Sequence, residues 1–419
     1  MIMRESPPIR NLVGRYFTDV EVMGAEVEKT SSNPDPHELV RRRIVEYVEA
    51  HGRDILMGQD IGLIVNDRNR PTPTHLVLEE LIRQVPGLLE RIGRVHIATG
   101  THEPPSRDDI GTILGGTYEE LSGRVHIHRS KEEDEHEFIC TTSRGTELRV
   151  DRAALDHDLL IMINSVEPHY FAGFTGGRKS ILPGISWYGT VEMNHSHALD
   201  PGSRTLALEG NPVHEDMEEA VSVFLGERRH ITFQLVQAPG IILSDMFIGD
   251  IFTAFREGVE LAKRNFCRTV EAPFDVVITV AAPPMDRTLY QAQKAIENGK
   301  IALRDGGIIL LAASCGEGIG NPVFWDLLTS EKDASDVLAA IEKGYRLGYH
   351  KAAKIAQLSE RAEIIMVSEI PSDILARGFI RGFGDMGEAL GYVRERMGAD
   401  ASVLVIEDGT VTVPMIEES

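Results

Sequence analysis

Apolar residues in this chain gather into short unbroken runs separated by stretches of helical spacing. Residues 61–65 (IGLIV), 94–98, 159–163 (LLIMI), 274–281 (FDVVITVA), 307–313, 364–367 and 403–406 read as buried strands. Residues 233–236 and 241–243 give two more. A helix is predicted over 38–51, introduced by Pro34 and Pro36 and closed by Gly52. The next carries Leu76, Leu78, Leu81 and Ile82 on its core side. Another opens near Ser106, with Asp108 and Asp109 in its first turn, where the helix dipole favours acids. Further helices are predicted to about residue 224, over 250–264, around Tyr290–Lys294, over 334–361 and over 387–397. The first thirty residues contain short alternating stretches expected to form edge strands, and 131–137 reads as a solvated turn.

Strand, polar loop and helix recur in that order, which is the grammar of an α/β protein. Ligands in such folds sit beyond the carboxyl ends of the strands. The loops in that position deliver Arg70, His102 and His169.

At 419 residues the chain exceeds a usual single core. Two α/β domains are expected, with the active site in the cleft between them. The first spans 1–270 and takes back 399–419; the second spans 275–398, and the aperiodic segment 265–274 marks the boundary. A hydrophobic fraction of 42% and a charged fraction of 26% are those of an ordinary globular protein. The net charge of −22 argues against nucleic acid or an anionic membrane as partner. Cys140, Cys267 and Cys315 are too few and too scattered for a disulfide framework or a cysteine metal site. Neither an apolar signal core nor a run of the roughly 20 residues a membrane helix needs is present, so a cytoplasmic location is expected.

The densest chemistry lies between Asn164 and His197. A Gly-rich loop over 173–177 can approach a ligand closely and cradle a phosphate with its amides. Arg178 and Lys179 follow and would hold the same anion. A like charge beside Lys179 disfavours its ammonium form, and a neutral amine can attack a carbonyl or thiocarbonyl carbon. His102 and His169 come from separate loops and could face one molecule from opposite sides, as a racemase or epimerase requires. His195 and His197 could bind a metal. No His-Glu-x-x-His and no Cys pair completes a site, so most ligands of any metal must come from outside the protein side chains. Tyr290, Gln291 and Lys294 can share one side of their helix, and Lys294 and Arg70 both suit a carboxylate.

These residues stand in a set of motifs that resembles the lactate racemases and related 2-hydroxyacid racemases and epimerases dependent on a nickel-pincer nucleotide. The motifs are Asp67-x-x-Arg70-Pro71-x-Pro73, Ala98-Thr99-Gly100-Thr101-His102 and Glu167-Pro168-His169-x-Phe171-Ala172-Gly173-Phe174. They continue with Gly176-Gly177-Arg178-Lys179-Ser180, Asn194-His195, Gly210-Asn211-Pro212-Val213-His214 and Tyr290-Gln291-x-x-Lys294. The resemblance implies that the nucleotide is attached to Lys179 through a thioamide and that His195 is the protein's nickel ligand. The cofactor would supply two sulfurs and a carbon. It implies His102 and His169 as paired acid/base residues, with Asp67, Arg70, Tyr290, Gln291 and Lys294 at the substrate. Thr175, Gly176, Gly177, Arg178 and Ser180 are assigned to the cofactor by chemistry and proximity. The mechanism implied passes the C2 hydride to the cofactor pyridinium while a His takes the hydroxyl proton, then returns both to the opposite face. Cofactor-making enzymes would be needed for maturation. One departure concerns the substrate: Gly348-Tyr349-His350-Lys351-Ala352 stands where lactate racemases carry a Trp. A polar wall there counts against lactate and admits a longer or second-carboxylate substrate, such as a sugar acid or a malate-like acid.

Two other functions fit parts of this set. A nicotinamide-dependent hydroxyacid dehydrogenase would need a dinucleotide fingerprint, and Gly316-x-Gly-x-Gly lacks its spacing. A nickel or nucleotide delivery protein would use His195 and Lys179 but has no use for His102, His169 or Arg70.

Overall fold

The computed structural model describes residues 9–24, 35–238 and 242–417. Position 241, expected to begin a strand, and positions 25–34 lie outside them. The chain divides into two compact units, one of residues 27–265 and one of residues 1–26 with 266–419.

The 27–265 unit is built on a six-stranded sheet. Its strand order is Ile242–Gly249, His230–Ala238, Leu159–Ser165, Ile61–Asn66, Ile92–Ala98, Val125–Ile127. All neighbours are parallel except the edge pair formed by 242–249 and 230–238. Leu63, Ile64 and Val65, like Leu159 to Ile163, are buried without alternation, which is why these strands read as continuous apolar runs. Strand order reverses between 61–66 and 159–165, so a crevice opens at their carboxyl ends. The loops leaving these two strands carry Asp67 and His169, and the loop leaving the adjacent 92–98 strand carries His102. The helix over Thr74–Gln84 buries Leu76, Val77, Leu78 and Leu81 against the sheet. The one opening at Arg107 begins where expected, and Ser106 and Asp109 form a capping box there.

The second unit also holds a six-stranded sheet, entirely parallel, in the order Asp19–Met23, Ser402–Ile406, Phe274–Val280, Leu303–Ala312, Glu363–Val367, Ile380–Phe383. Val276, Ile278, Ile308, Leu310, Ile365, Val403 and Val405 fill one side of it. The tail expected to return to the first domain instead lies inside this sheet. Val403 pairs with both Val20 and Val276, and residues 403–406 are buried, so this apolar strand is covered within the sheet of the second unit. Of the first thirty residues, 19–23 form the expected edge strand, but Ile9–Val13 is a short helix whose Val13 joins the same core. The segment read as an aperiodic boundary contains a strand, Cys267–Val270, paired with Val413–Ile416. The helical region 334–361 is two helices, Ala334–Glu342 and Tyr349–Ser359, parted by Gly344 and Gly348 at positive φ. The turn at 131–137 ends in a buried His136 that starts a strand. Among the described residues no helix is long and apolar enough to cross a membrane.

Candidate active site

The loop after the 61–66 strand turns tightly. Arg70 N–H donates to Asp67 O at 3.1 Å, and Asn69 N–H donates to Asp67 Oδ1 at 3.1 Å. Asp67, expected at the substrate, is buried and is turned toward a histidine: His102 Nδ1–H donates to its Oδ2 at 2.8 Å. Burial opposes ionisation of Asp67. The bond from His102, its charge, the Asn69 amide and the Arg70 charge outweigh that and hold the carboxyl below its ordinary range. With Nδ1 bearing the proton, Nε2 of the neutral ring carries the lone pair and can accept a proton, on a side chain 44% exposed. The His102 turn is braced by His102 N–H to Thr99 O (3.0 Å) and by Gly100 N–H to Gly184 O (2.9 Å), which ties it to the segment following Lys179.

His169 is set differently. Its ring stacks on Tyr170 and meets Phe171 edge-on, with centroids 4.6 Å apart in the second case. Ala172 N–H approaches Nδ1 at 3.3 Å. His169 can therefore act as a base at Nε2 only when that contact gives way to a proton on Nδ1.

Phe171 is the hub that sequence reasoning left without a role. The same ring lies 5.0 Å from the His195 ring and 5.6 Å from Lys179 Nζ. It sits inside a motif already singled out, but an aromatic there reads as core. Its carbonyl accepts from Asn211 Nδ2 at 2.8 Å, linking it to the start of the Pro212–Leu225 helix. His195 is held neutral: burial, and then the Lys179 charge, push it down to about 3.

The Gly-rich loop is ordered largely by its own donors. Thr175 O–H donates to Ser165 O (2.9 Å), and Gly177 N–H donates to Gln234 Oε1 (3.0 Å). Gly176 and Gly177 need their missing side chains: both have positive φ, and a Cβ would strike Val166 and Phe255 respectively. Ser180 Oγ accepts from Asn164. Arg178 is buried, donates to Ala172 O at 2.7 Å and stacks on Phe255 at 4.5 Å. Burial lowers it to about 9, which leaves a cation at neutrality. Its Nε–H makes no hydrogen bond among the described residues, so a buried cationic donor is available to an anion.

Tyr290, Gln291 and Lys294 lie on the Leu289–Gly299 helix of the other unit, capped by Thr288. Lys294 Nζ rests 3.6 Å from Met285 Sδ. Lys351, which had no assigned role, is buried with Nζ 3.5 Å above the Tyr290 ring and bonded to the Tyr290 carbonyl. Burial, and then the Lys294 charge, lower its proton affinity well below that of an ordinary lysine.

Comparison with known proteins adds a consistent set of relatives. The family model described as the lactate racemase N-terminal domain matches residues 18–206, and that of the lactate racemase C-terminal domain matches 269–414. The lactate racemase of Thermoanaerobacterium thermosaccharolyticum is 29% identical over 413 residues, covering 94% of this chain and 95% of the relative. That of Lactiplantibacillus plantarum is 28% identical, covering 84% of each. The T. thermosaccharolyticum lactate racemase apoprotein structure superposes with a TM-score of 0.85 at 26% identity, over 98% of this chain and 96% of that one. A Thermotoga maritima protein shares the fold, with a TM-score of 0.73 at 19% identity, over 92% and 99% of the two chains.

Proposed function

Because this chain belongs to the lactate racemase family, matched in both domains, we propose that it inverts C2 of a 2-hydroxy acid, with His102 and His169 as its paired acid/base groups. The observation that carries the reading is the single Phe171 ring bordering His169, His195 and Lys179 together.

The residues suit a nickel-pincer nucleotide. Lys179 offers an amine for attachment, His195 a neutral imidazole, and Arg178 an unsatisfied buried donor for an anionic group such as the nucleotide phosphate. Thr175, Gly176, Gly177 and Ser180 shape the loop around that position. No group of three or more His, Cys, Asp or Glu among the described residues could hold a metal, so a metal at His195 takes its other donors from a ligand. When bound, the group supplies a nickel site and an acceptor for the C2 hydride. The protein's part is proton handling and orientation. His102, with Nδ1 held by Asp67, takes the hydroxyl proton at Nε2, while His169 returns one on the opposite face; the other enantiomer exchanges their roles. Arg70, in the same unit as the two histidines, offers a planar fork to the substrate carboxylate. The relatives are named for lactate. The Tyr349–His350–Lys351 stretch extends the expected range here to more polar hydroxy acids.

The test is loss of optical rotation from each pure enantiomer across a panel of 2-hydroxy acids. It uses protein produced together with cofactor-making enzymes. His102→Ala and His169→Ala should each slow both directions by roughly 10²–10⁴-fold and keep the cofactor mass. Lys179→Ala should lose that mass adduct. Near-wild-type racemisation by either histidine variant would remove the two-base reading.

A further inference from the structure

His195 is useful to a metal only if the correct ring nitrogen is unprotonated, and the structure shows what decides which one that is. We infer that Asp216, acting through Asn194, is the positioning residue that fixes the tautomer of His195 and leaves Nε2 as its metal-binding atom. The tautomer itself is a property of the protein alone; its use for nickel rests on the function proposed above.

The chain of reasoning starts at Asp216, fully buried on the Pro212–Leu225 helix. Its carboxylate accepts Thr142 O–H at 2.5 Å, Thr146 O–H at 2.8 Å and Asn194 Nδ2–H at 2.8 Å. The other hydrogen of that Asn194 amide goes to the Val213 carbonyl at 3.2 Å. A carboxylate and a carbonyl can only accept, so the nitrogen end of Asn194 must face them both. Side-chain amides are often ambiguous in orientation, but two acceptors on one side remove the ambiguity here. The oxygen of Asn194 is then turned toward His195, 3.2 Å from Nδ1. An amide oxygen cannot donate, so Nδ1 must carry the ring proton and Nε2 the lone pair. Metal-binding histidines commonly have their second nitrogen fixed by an acceptor in this way. Here the acceptor is an amide whose own orientation is imposed by a buried carboxylate.

Asp216 is anchored in turn by Thr142 and Thr146, at the tip of the hairpin formed by His136–Thr141 and Glu147–Asp151. Thr142 Oγ1 also accepts Thr146 N–H at 3.1 Å. The relay is therefore fixed at the end remote from His195.

The experiment is nitrogen-15 NMR of histidine-labelled, cofactor-free protein, with the His195 signals identified by their loss in His195→Gln. Wild type should show His195 with its proton on Nδ1. Asp216→Asn replaces an acceptor-only group by one that can face Asn194 with either end, so a second tautomer of His195 should appear. On protein loaded with cofactor, the same variant should retain nickel roughly 10-fold less well through dialysis. Thr142→Val removes one anchor of Asp216 without freeing Asn194; it should lower stability and leave the tautomer unchanged. If Asp216→Asn does not fold, Asn194→Ser serves, because a hydroxyl can donate or accept and so releases the same constraint. A wild-type tautomer pattern in the folded variant overturns the inference, as does an equal shift in Thr142→Val. A tautomer shift with unchanged nickel retention supports the relay and counts against His195 as the nickel ligand.

Discussion

Asp67 accepts the Nδ1 proton of His102 at 2.8 Å and is an anion at neutral pH, because that bond and the neighbouring charges overcome its burial. Asp67→Asn could present its amide NH₂ to Nδ1, which would move the ring proton to Nε2, the atom proposed above to receive the substrate hydroxyl. The expected loss in kcat is on the order of 10²–10⁴-fold, with the cofactor adduct mass unchanged; a kcat near wild type would remove Asp67 from this role. His169 has an amide N–H at the same ring position in place of a carboxylate. The two enantiomers of a substrate have equal free energy, so kcat/KM must be equal in the two directions. The different settings of the two histidines should therefore appear as kcat and KM both differing between enantiomers by one common factor, measurable from initial rates. At this scale the sequence carried much of the candidate site. His102, His169, Lys179 and His195 stood out by type and spacing. Phe171 and Asp216 did not, because an aromatic and an acid on an amphipathic helix look like ordinary core and surface until their neighbours are known.

The Pro212–Leu225 helix shows how an element holds the site. Asn211 caps it by accepting Val213 N–H and His214 N–H, and its amide donates to Phe171 O and Ala207 O. Asn211→Ala should cost about 2 kcal/mol, beyond a cap alone, since the buried Phe171 carbonyl and the half-buried Ala207 carbonyl lose their donor as well; urea unfolding would measure it. On the sheet, His96 in the Ile92–Ala98 strand and His128 after Val125–Ile127 are buried and paired with His157 and His136, at 3.0 Å in each case. Burial, and then the partner histidine, push both down to about 3. Unfolded, they would titrate near 6.5, so the unfolded chain binds more protons between the two values. Stability is therefore full above pH 6.5 and falls as the pH drops toward 3, by about 2 kcal/mol per histidine at pH 5. His96→Gln should reduce the drop in urea midpoint between pH 7.5 and 5; an identical drop would show that His96 contributes nothing. Elements such as 61–66 and 159–165 were legible because strands covered on both faces leave unbroken apolar runs. The break between the helices at 342 and 349 was not, since Lys343 to Gly348 keep enough polar and apolar alternation to pass for one helix.

For the whole molecule, local pattern gave the number of units but not their membership. Val403 to Ile406 read correctly as a strand, yet nothing near them states that their neighbours are 19–23 and 276–279. Pairing across that distance is decided by which sheet has an open, apolar side. Removing residues 400–419 should therefore unfold the sheet that contains 274–280 and leave the sheet of the 27–265 unit protected, as hydrogen exchange would show. Equal protection in both would refute the assignment of the tail. The same arrangement bears on birth at the ribosome. The 27–265 segment has all its strands once residue 265 has emerged and can fold while translation continues. Strand 19–23 is made before the 27–265 segment and its partner, 402–406, after it, so it must wait exposed while that whole segment is synthesised. It is short and carries Asp19 and Glu21 on alternate positions, charges that discourage pairing with other nascent chains during that wait.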